Sequence, residues 1–315
     1  MRFILKEIEA GNEKVKISVK DKKLIQLLIQ DGRASISELS KKIGISKPAV
    51  VQKIKSLQDK NILLSPVLYS NVKIEDKPTY FIQISTGLGY NTKENASELL
   101  SIEGIAGVLW WNGEYNLSLL VFTENIQELI EKIEKKFEIK KYRLLRAVNN
   151  WFHPPYVFSD VPDKDIGFSK NNPKIDELDR KILKILYDDS RKSILEISSE
   201  LKSAPITIKK RIVEMKKSGA IISFSNYINF WACGREVISI LMQIKGRSNL
   251  DNTIKKFLSF PQTGNIWELD DEWNLNVILW VSNQKEVNDI LEKINREIKG
   301  ITNSEVYVLA SLKGK

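Results

Sequence analysis

The 315-residue chain is 42% hydrophobic and 28% charged and carries a formal net charge of +9. That is the composition of a globular protein large enough for more than one core. Its apolar runs, such as the one ending Leu117 to Phe122, are strand-length, and Lys6, Glu7 and Glu9 follow closely on Met1. A bilayer span and a signal peptide are therefore not expected, and the chain reads as cytoplasmic with no membrane partner. A single cysteine, Cys233, excludes an intramolecular disulfide and a cysteine-based zinc site.

The positive charge is localised. Residues 1–66 hold 14 Lys/Arg against 7 Asp/Glu, and residues 174–224 hold 12 against 8. The remaining residues, 67–173 and 225–315, hold 23 against 25. Two short basic windows thus carry the whole excess, as localised phosphate contacts require.

In the first window Leu24, Leu27 and Leu28 mark one apolar face of a helix ending near Asp31-Gly32. Ser35 to Glu38 form a capping box opening a second helix, which buries Leu39 and Ile43 and stops at Gly44. Ser46 caps a third helix with Pro48 in its first turn and Val50, Ile54 and Leu57 as its buried stripe. Lys47, Ala49, Gln52, Lys53 and Ser56 are left on the outer face, where short, polar and basic side chains suit the major groove. A solvated basic face is the plainer reading of one such helix. Arg33, Ser46 and Lys55 complete the candidate DNA contacts in this window.

Beyond a short strand-like run, the pattern becomes strand, helix, strand, strand, helix, strand. These segments are Thr79 to Ser85, Thr92 to Ser101, Ile105 to Trp111, Tyr115 to Phe122, Ile126 to Phe137 and Tyr142 to Val148. Asn112-Gly113 predicts a two-residue type I′ hairpin. The turn formers of 151–173, from the region of His153-Pro154-Pro155 to Asn171-Asn172-Pro173, read as a linker whose aromatics pack on a domain. The second basic window then repeats the three helices, with Arg191, Thr207, Lys209, Lys210 and Arg211 as candidate contacts. A second strand and helix series runs through Val237–Ile244, Asn249–Leu258, Gly264–Leu269, Trp273–Val281, Lys285–Glu297 and Ser304–Ala310.

The two halves are copies. Asp31 to Ser40 recurs as Asp189 to Ser198 with six of ten residues identical, at an offset of 158. The same offset carries Asp21 to Asp179, Ile54 to Ile212 and Glu114-Tyr115-Asn116 to Glu272-Trp273-Asn274. The expected architecture is α+β: two helix-turn-helix, winged-helix-like domains (17–72 and 174–230) alternating with two ferredoxin-like βαββαβ domains (76–150 and 234–315). One sheet with helices on a single face leaves its other face bare, so the two copies are expected to stack back to back as an internal pseudo-dimer.

The sequence resembles the leucine-responsive regulatory protein/AsnC family, repeated twice. The residues that carry the likeness are Asp31-Gly32-Arg33, Glu38 to Ser46, Lys53-Ile54, Leu57 and the hairpin Gly113-Glu114-Tyr115-Asn116. The resemblance implies a sequence-specific DNA-binding transcription regulator whose sensing domains pair and bind a small-molecule effector, often an amino acid. Trp111, Tyr115, Asn116, Trp273 and Asn274 are the effector-site candidates. The second copy departs from the pattern with Ser190, Lys202 and Ala204 where the first has Gly32, Gly44 and Ser46. Asn116 and Asn274 replace a carboxylate usual in the family.

Enzyme constellations are sparse. His153 is the single histidine, which excludes a histidine metal site or a Ser-His triad within one chain. No glycine-rich phosphate loop occurs, and no cofactor is expected. Glu268, Asp270, Asp271 and Glu272 read as a solvated turn more readily than as a catalytic pair. The tryptophans Trp110, Trp111, Trp267, Trp273 and Trp280 fit core or interface packing, or a flat aromatic pocket. Two alternatives stand beside the regulator: an enzyme resembling fused siroheme decarboxylases, which share a Tyr-Asn-Leu like Tyr115-Asn116-Leu117, and a nonspecific architectural DNA-binding protein.

Overall fold

The computed structural model describes residues 8–9, 15–70, 77–87, 92–152, 158 and 173–314. The linker expected over 151–173, with His153, lies outside the described residues apart from Trp151, Phe152, Phe158 and Pro173. Phe158 is buried, with the Lys22 ammonium 5.5 Å from its ring centre.

In chain order the first copy contains β1 (Ile8–Glu9), α1 (Val19–Gln30), α2 (Ile36–Ile43), α3 (Lys47–Asp59) and β2 (Leu63–Ser70). It continues with β3 (Thr79–Ser85), α4 (Lys93–Ser101), β4 (Ile105–Asn112), β5 (Leu117–Phe122), α5 (Ile126–Glu134) and β6 (Lys141–Phe152). The second copy opens with α6 (Glu177–Asp188), α7 (Ile194–Leu201), α8 (Pro205–Ser218) and β7 (Ile221–Ile228). It ends with β8 (Glu236–Ile244), α9 (Arg247–Leu258), β9 (Thr263–Leu269), β10 (Leu275–Val281), α10 (Gln284–Glu297) and β11 (Ile301–Gly314). No helix among the described residues is long and apolar enough to cross a membrane.

Like associates with like. Among the described residues, one compact unit gathers 15–70 with 158 and 173–229, and the other gathers 8–9, 77–87 and 92–152 with 230–314.

In the first unit both capping boxes form, Ser35 with Glu38 and Ser193 with Glu196. The bend after the second helix is left-handed in each copy, at φ +74 in Gly44 and φ +48 in Lys202. A lysine there carries a steric cost of roughly 1–2 kcal/mol that glycine avoids. The strand that follows each third helix pairs with its counterpart: β2 and β7 form an antiparallel ribbon running from Leu63↔Ile228 to Ser70↔Ile221. This pairing explains why α1 buries more than its expected stripe. Leu24, Ile25, Leu28 and Ile29 are all buried because α1 is covered by its own domain and also by β7. The second copy reciprocates, with Leu68 of β2 entering the core built by α6, α7 and α8.

In the second unit each copy has the βαββαβ order expected, with strands arranged β4-β5-β3-β6 and β9-β10-β8-β11. The expected back-to-back contact is present: Leu145 and Ala147 pack with Leu241, Leu269 and Trp273. The edges also join, which the sequence pattern does not reveal. β6 pairs with β3 through residues 141–147 and then with β9 through 147–152. β11 pairs with β8 through 301–308 and then with β4 through 308–314. The eight strands therefore close into a ring, and each has a partner on both sides. Helices α4 and α5 cover the outer face of the first copy's strands through Leu99, Leu100, Leu129, Ile130 and Ile133.

The hairpins differ from the two-residue turn expected at Asn112-Gly113. Trp111 N–H donates to the Asn116 carbonyl at 2.8 Å, and Leu269 N–H to the Asn274 carbonyl at 3.0 Å, leaving four-residue loops. The longer loop frees the asparagine side chain to bind the end of the neighbouring strand.

Candidate nucleic-acid interface

The third helix of each copy is the surface on which the candidate contacts fall. In α3 the Ser46 hydroxyl accepts from Ala49 N–H at 3.4 Å, so this serine is a helix cap. Burial of Val50 and Leu57 leaves Lys47, Gln52 and Lys55 exposed, with Ala49 half-buried. In α8 burial of Ile208, Ile212 and Met215 leaves Lys209 and Lys210 exposed and Thr207 half-buried. Ala204 gives α8 no side-chain cap.

Four candidates are engaged inside the unit. Lys53 Nζ lies 2.6 Å from Asp21 Oδ1, tying α3 to the start of α1. Arg211 does the same in the second copy, with Nη2 2.7 Å from Asp176 Oδ2 and Nη1 3.5 Å from Asp179 Oδ2. These positions sit where the helix turns toward its own domain, so their charges brace the third helix. Burial pushes the Asp21 carboxyl up, but the bonds from Lys53 and Ser18 outweigh it and hold it below its ordinary value. Asp179 ends above its ordinary value, because burial outweighs the Asp176 N–H and Arg211.

Arg33 and Arg191 hold the two copies together. The Arg33 guanidinium donates from Nε to the Ser190 carbonyl at 2.7 Å and from Nη2 to the Lys192 carbonyl, and its plane lies 4.6 Å from the Phe224 ring centre. Arg191 answers more weakly, from Nε to the Gly32 carbonyl at 3.3 Å. Between them Gly32 N–H donates to the Phe224 carbonyl at 2.8 Å. A Cβ at Gly32 would lie 2.4 Å from the Ser225 carbonyl oxygen, so the Asp-Gly-Arg motif needs its glycine for this approach. Arg33 and Arg191 thus brace the two copies against each other beside the β2–β7 pairing.

In the other unit the hairpin residues separate into two roles. Asn116 Oδ1 accepts from Thr86 N–H at 2.9 Å, and Asn274 both accepts from Ile244 N–H at 3.0 Å and donates to the Ile244 carbonyl at 2.8 Å. Their work is to stitch the hairpin to its neighbouring strand, and an amide can serve both a donor and an acceptor there. Tyr115 and Trp273 instead converge on Arg143, whose guanidinium lies 4.5 Å and 4.7 Å from their ring centres. Arg143 pairs with Glu305 through two bonds of 2.8 and 3.0 Å, and Glu305 also accepts from the Tyr307 hydroxyl. Trp111 is buried, and its Nε1 has no hydrogen-bond partner among the described residues.

The acidic hairpin also resolves. Glu268 is buried and binds Arg247 and Asn149, while Asp270 and Asp271 are exposed. Among the described residues no group of His, Cys, Asp or Glu is placed to hold a metal ion. Arg143 escaped sequence reasoning because the offset of 158 carries it to Ile301, so the repeat does not mark it.

A fold of three short helices with a capped second helix and a basic third helix defines a helix-turn-helix protein. A model of the AsnC-type helix-turn-helix domain matches residues 17–58 and again 175–216, a separation equal to the repeat offset. The chain thus carries two AsnC-type helix-turn-helix domains, one in each copy. The HTH-type transcriptional regulator FL11 of Pyrococcus furiosus is 26% identical over 136 residues, 43% of this chain and 89% of that protein. An uncharacterized HTH-type transcriptional regulator of Pyrococcus abyssi, PYRAB04820, is 29% identical over 136 residues, 43% of this chain and 91% of that protein. A nearly whole relative thus corresponds to less than half of the present chain. Across its full span, the chain is similar in fold to the siroheme decarboxylase NirDL, with a TM-score of 0.58 at 13% identity, covering 92% of this chain and 90% of that one.

Proposed function

We propose that this chain is a sequence-specific DNA-binding transcription regulator acting in the cytoplasm, with double-stranded DNA as its partner and no catalytic activity. The observation that carries the reading is the exposed basic face of two AsnC-type third helices, Lys47, Gln52 and Lys55 in α3 with Lys209 and Lys210 in α8. The similarity to proteins named as transcriptional regulators supports it at 26–29% identity, whereas the decarboxylase likeness is one of fold.

Lys47→Ala combined with Lys55→Ala is expected to weaken binding and to lower the slope of log affinity against log salt by roughly one to two units. Titrations of fluorescent duplex at several salt concentrations check this, and an unchanged slope counts against α3 as the contact surface. Uniform protection in a genome-wide footprint would point to an architectural protein instead. Tight tetrapyrrole binding with a spectral shift would favour the enzyme.

The same reading includes a carboxylate-bearing effector such as an amino acid. Arg143, framed by Tyr115 and Trp273, is the group suited to receive it, in competition with Glu305.

A further inference from the structure

The two third helices differ on the face they leave to solvent. The repeat offset carries Pro48, Gln52 and Lys55 of α3 to Ile206, Lys210 and Val213 of α8. Ile206 is 72% exposed and Val213 43% exposed. A single exposed isoleucine is ordinary on a protein surface. Here two β-branched apolar residues stand on the helix that carries Lys209 and Lys210, Val213 where the first copy has Lys55, whereas α3 exposes one, Val51, where α8 has Lys209.

Dimers of identical subunits read palindromes because two-fold symmetry presents the same helix twice. This chain keeps the pairing through the β2–β7 ribbon and the Arg33 and Arg191 braces, yet presents two different helices. A glutamine offers a donor and an acceptor to adenine, whereas an apolar side chain in the major groove meets its match in the thymine methyl. Lysines beside Ile206 and Val213 suit the phosphates that flank such a base.

We propose that the chain recognises a non-palindromic DNA site with two unlike half-sites, and that the half read by α8 contains a thymine whose C5 methyl packs on Ile206. The inference rests on the DNA-binding reading above and specifies its target.

The test is selection of bound duplexes from a randomised library with the full chain, followed by affinity measurement on the enriched site. The expected motif has two different halves. Replacing the critical thymine by uracil, which removes only the methyl, should weaken binding about fourfold, the worth of one buried carbon. Ile206→Ala should abolish that difference, while Gln52→Ala should leave it and relax the preference in the other half. A palindromic motif overturns the proposal while leaving DNA binding intact. Persistence of the methyl effect in Ile206→Ala overturns the assignment of that residue. Failure to enrich any motif, with affinity uniform across sequences, overturns both this proposal and the sequence-specific reading.

Discussion

The first helix-turn-helix copy and the second have the same frame but unequal local chemistry. The first has glycine at its left-handed bend, a serine cap on its third helix and a carboxylate held ionised by Lys53. The second has lysine at the bend, alanine at the cap position and a buried carboxylate shifted toward protonation. In the cross-copy contact the dependence also runs unequally, since Arg33 makes shorter bonds to the second copy than Arg191 makes to the first. Duplication on one chain frees two surfaces that a homodimer must keep identical, and each copy can then lose what the other supplies.

The largest test of this inequality is Gly32→Ala. Its Cβ would collide with the Ser225 backbone, which a flexible side chain cannot relieve, so a loss of about 3 kcal/mol is expected in urea unfolding. Ser190→Gly, the equivalent change in the second copy, should cost less than about 1 kcal/mol. Next comes the arginine pair: Arg33→Ala should cost about 2 kcal/mol and Arg191→Ala about half that, because charged hydrogen bonds weaken with length. Equal losses in the same unfolding experiment would erase the asymmetry.

The carboxylates sharpen the comparison through pH. Asp21 is held below its ordinary value, so its contribution is present above that value and is lost as pH falls through the lowered one. Asp179 is held above its ordinary value, so its contribution is present at low pH and is lost as pH rises through the raised one. Asp21→Asn is therefore expected to cost about 1 kcal/mol at neutral pH, and Asp179→Asn close to nothing. Thermal melts at pH 7 and near pH 2.5 check the sign, since acid below the ordinary carboxylate range should narrow the gap between the Asp21 variant and the parent. A comparable or smaller effect, of opposite sign, is expected from Lys202→Gly: relief of the left-handed lysine should raise stability by about 1 kcal/mol. No gain in melting temperature would show that the Lys202 side chain earns its place through another contact.

Much of this fold is legible from periodicity and caps. Ser35 with Glu38, Gly44 and the alternation through Leu117 to Val121 each depend on neighbours close in sequence, and each forms as the local chemistry dictates. What the sequence leaves open depends on the partner copy. The second buried face of α1, the need for glycine at position 32 and the engagement of Arg33 with the second copy all follow from the β2–β7 ribbon. In the candidate site, the basic face of α3 was readable as a helical stripe, whereas Lys53 and Arg211 could not be told from groove contacts without their aspartate partners. The exposure of Ile206 was marked only by its replacement of Pro48. Arg143 had no repeat partner to mark it.

The ring of eight strands has a consequence for mass action. Where two separate chains must meet to complete such a ring, dilution takes it apart and subunit exchange scrambles it. Here both halves arrive on one polypeptide, and the second closure is an intramolecular event at an effective concentration set by the connecting segment. The pairing of unlike halves then holds at any protein level, and the ratio of one helix-turn-helix type to the other is fixed at synthesis.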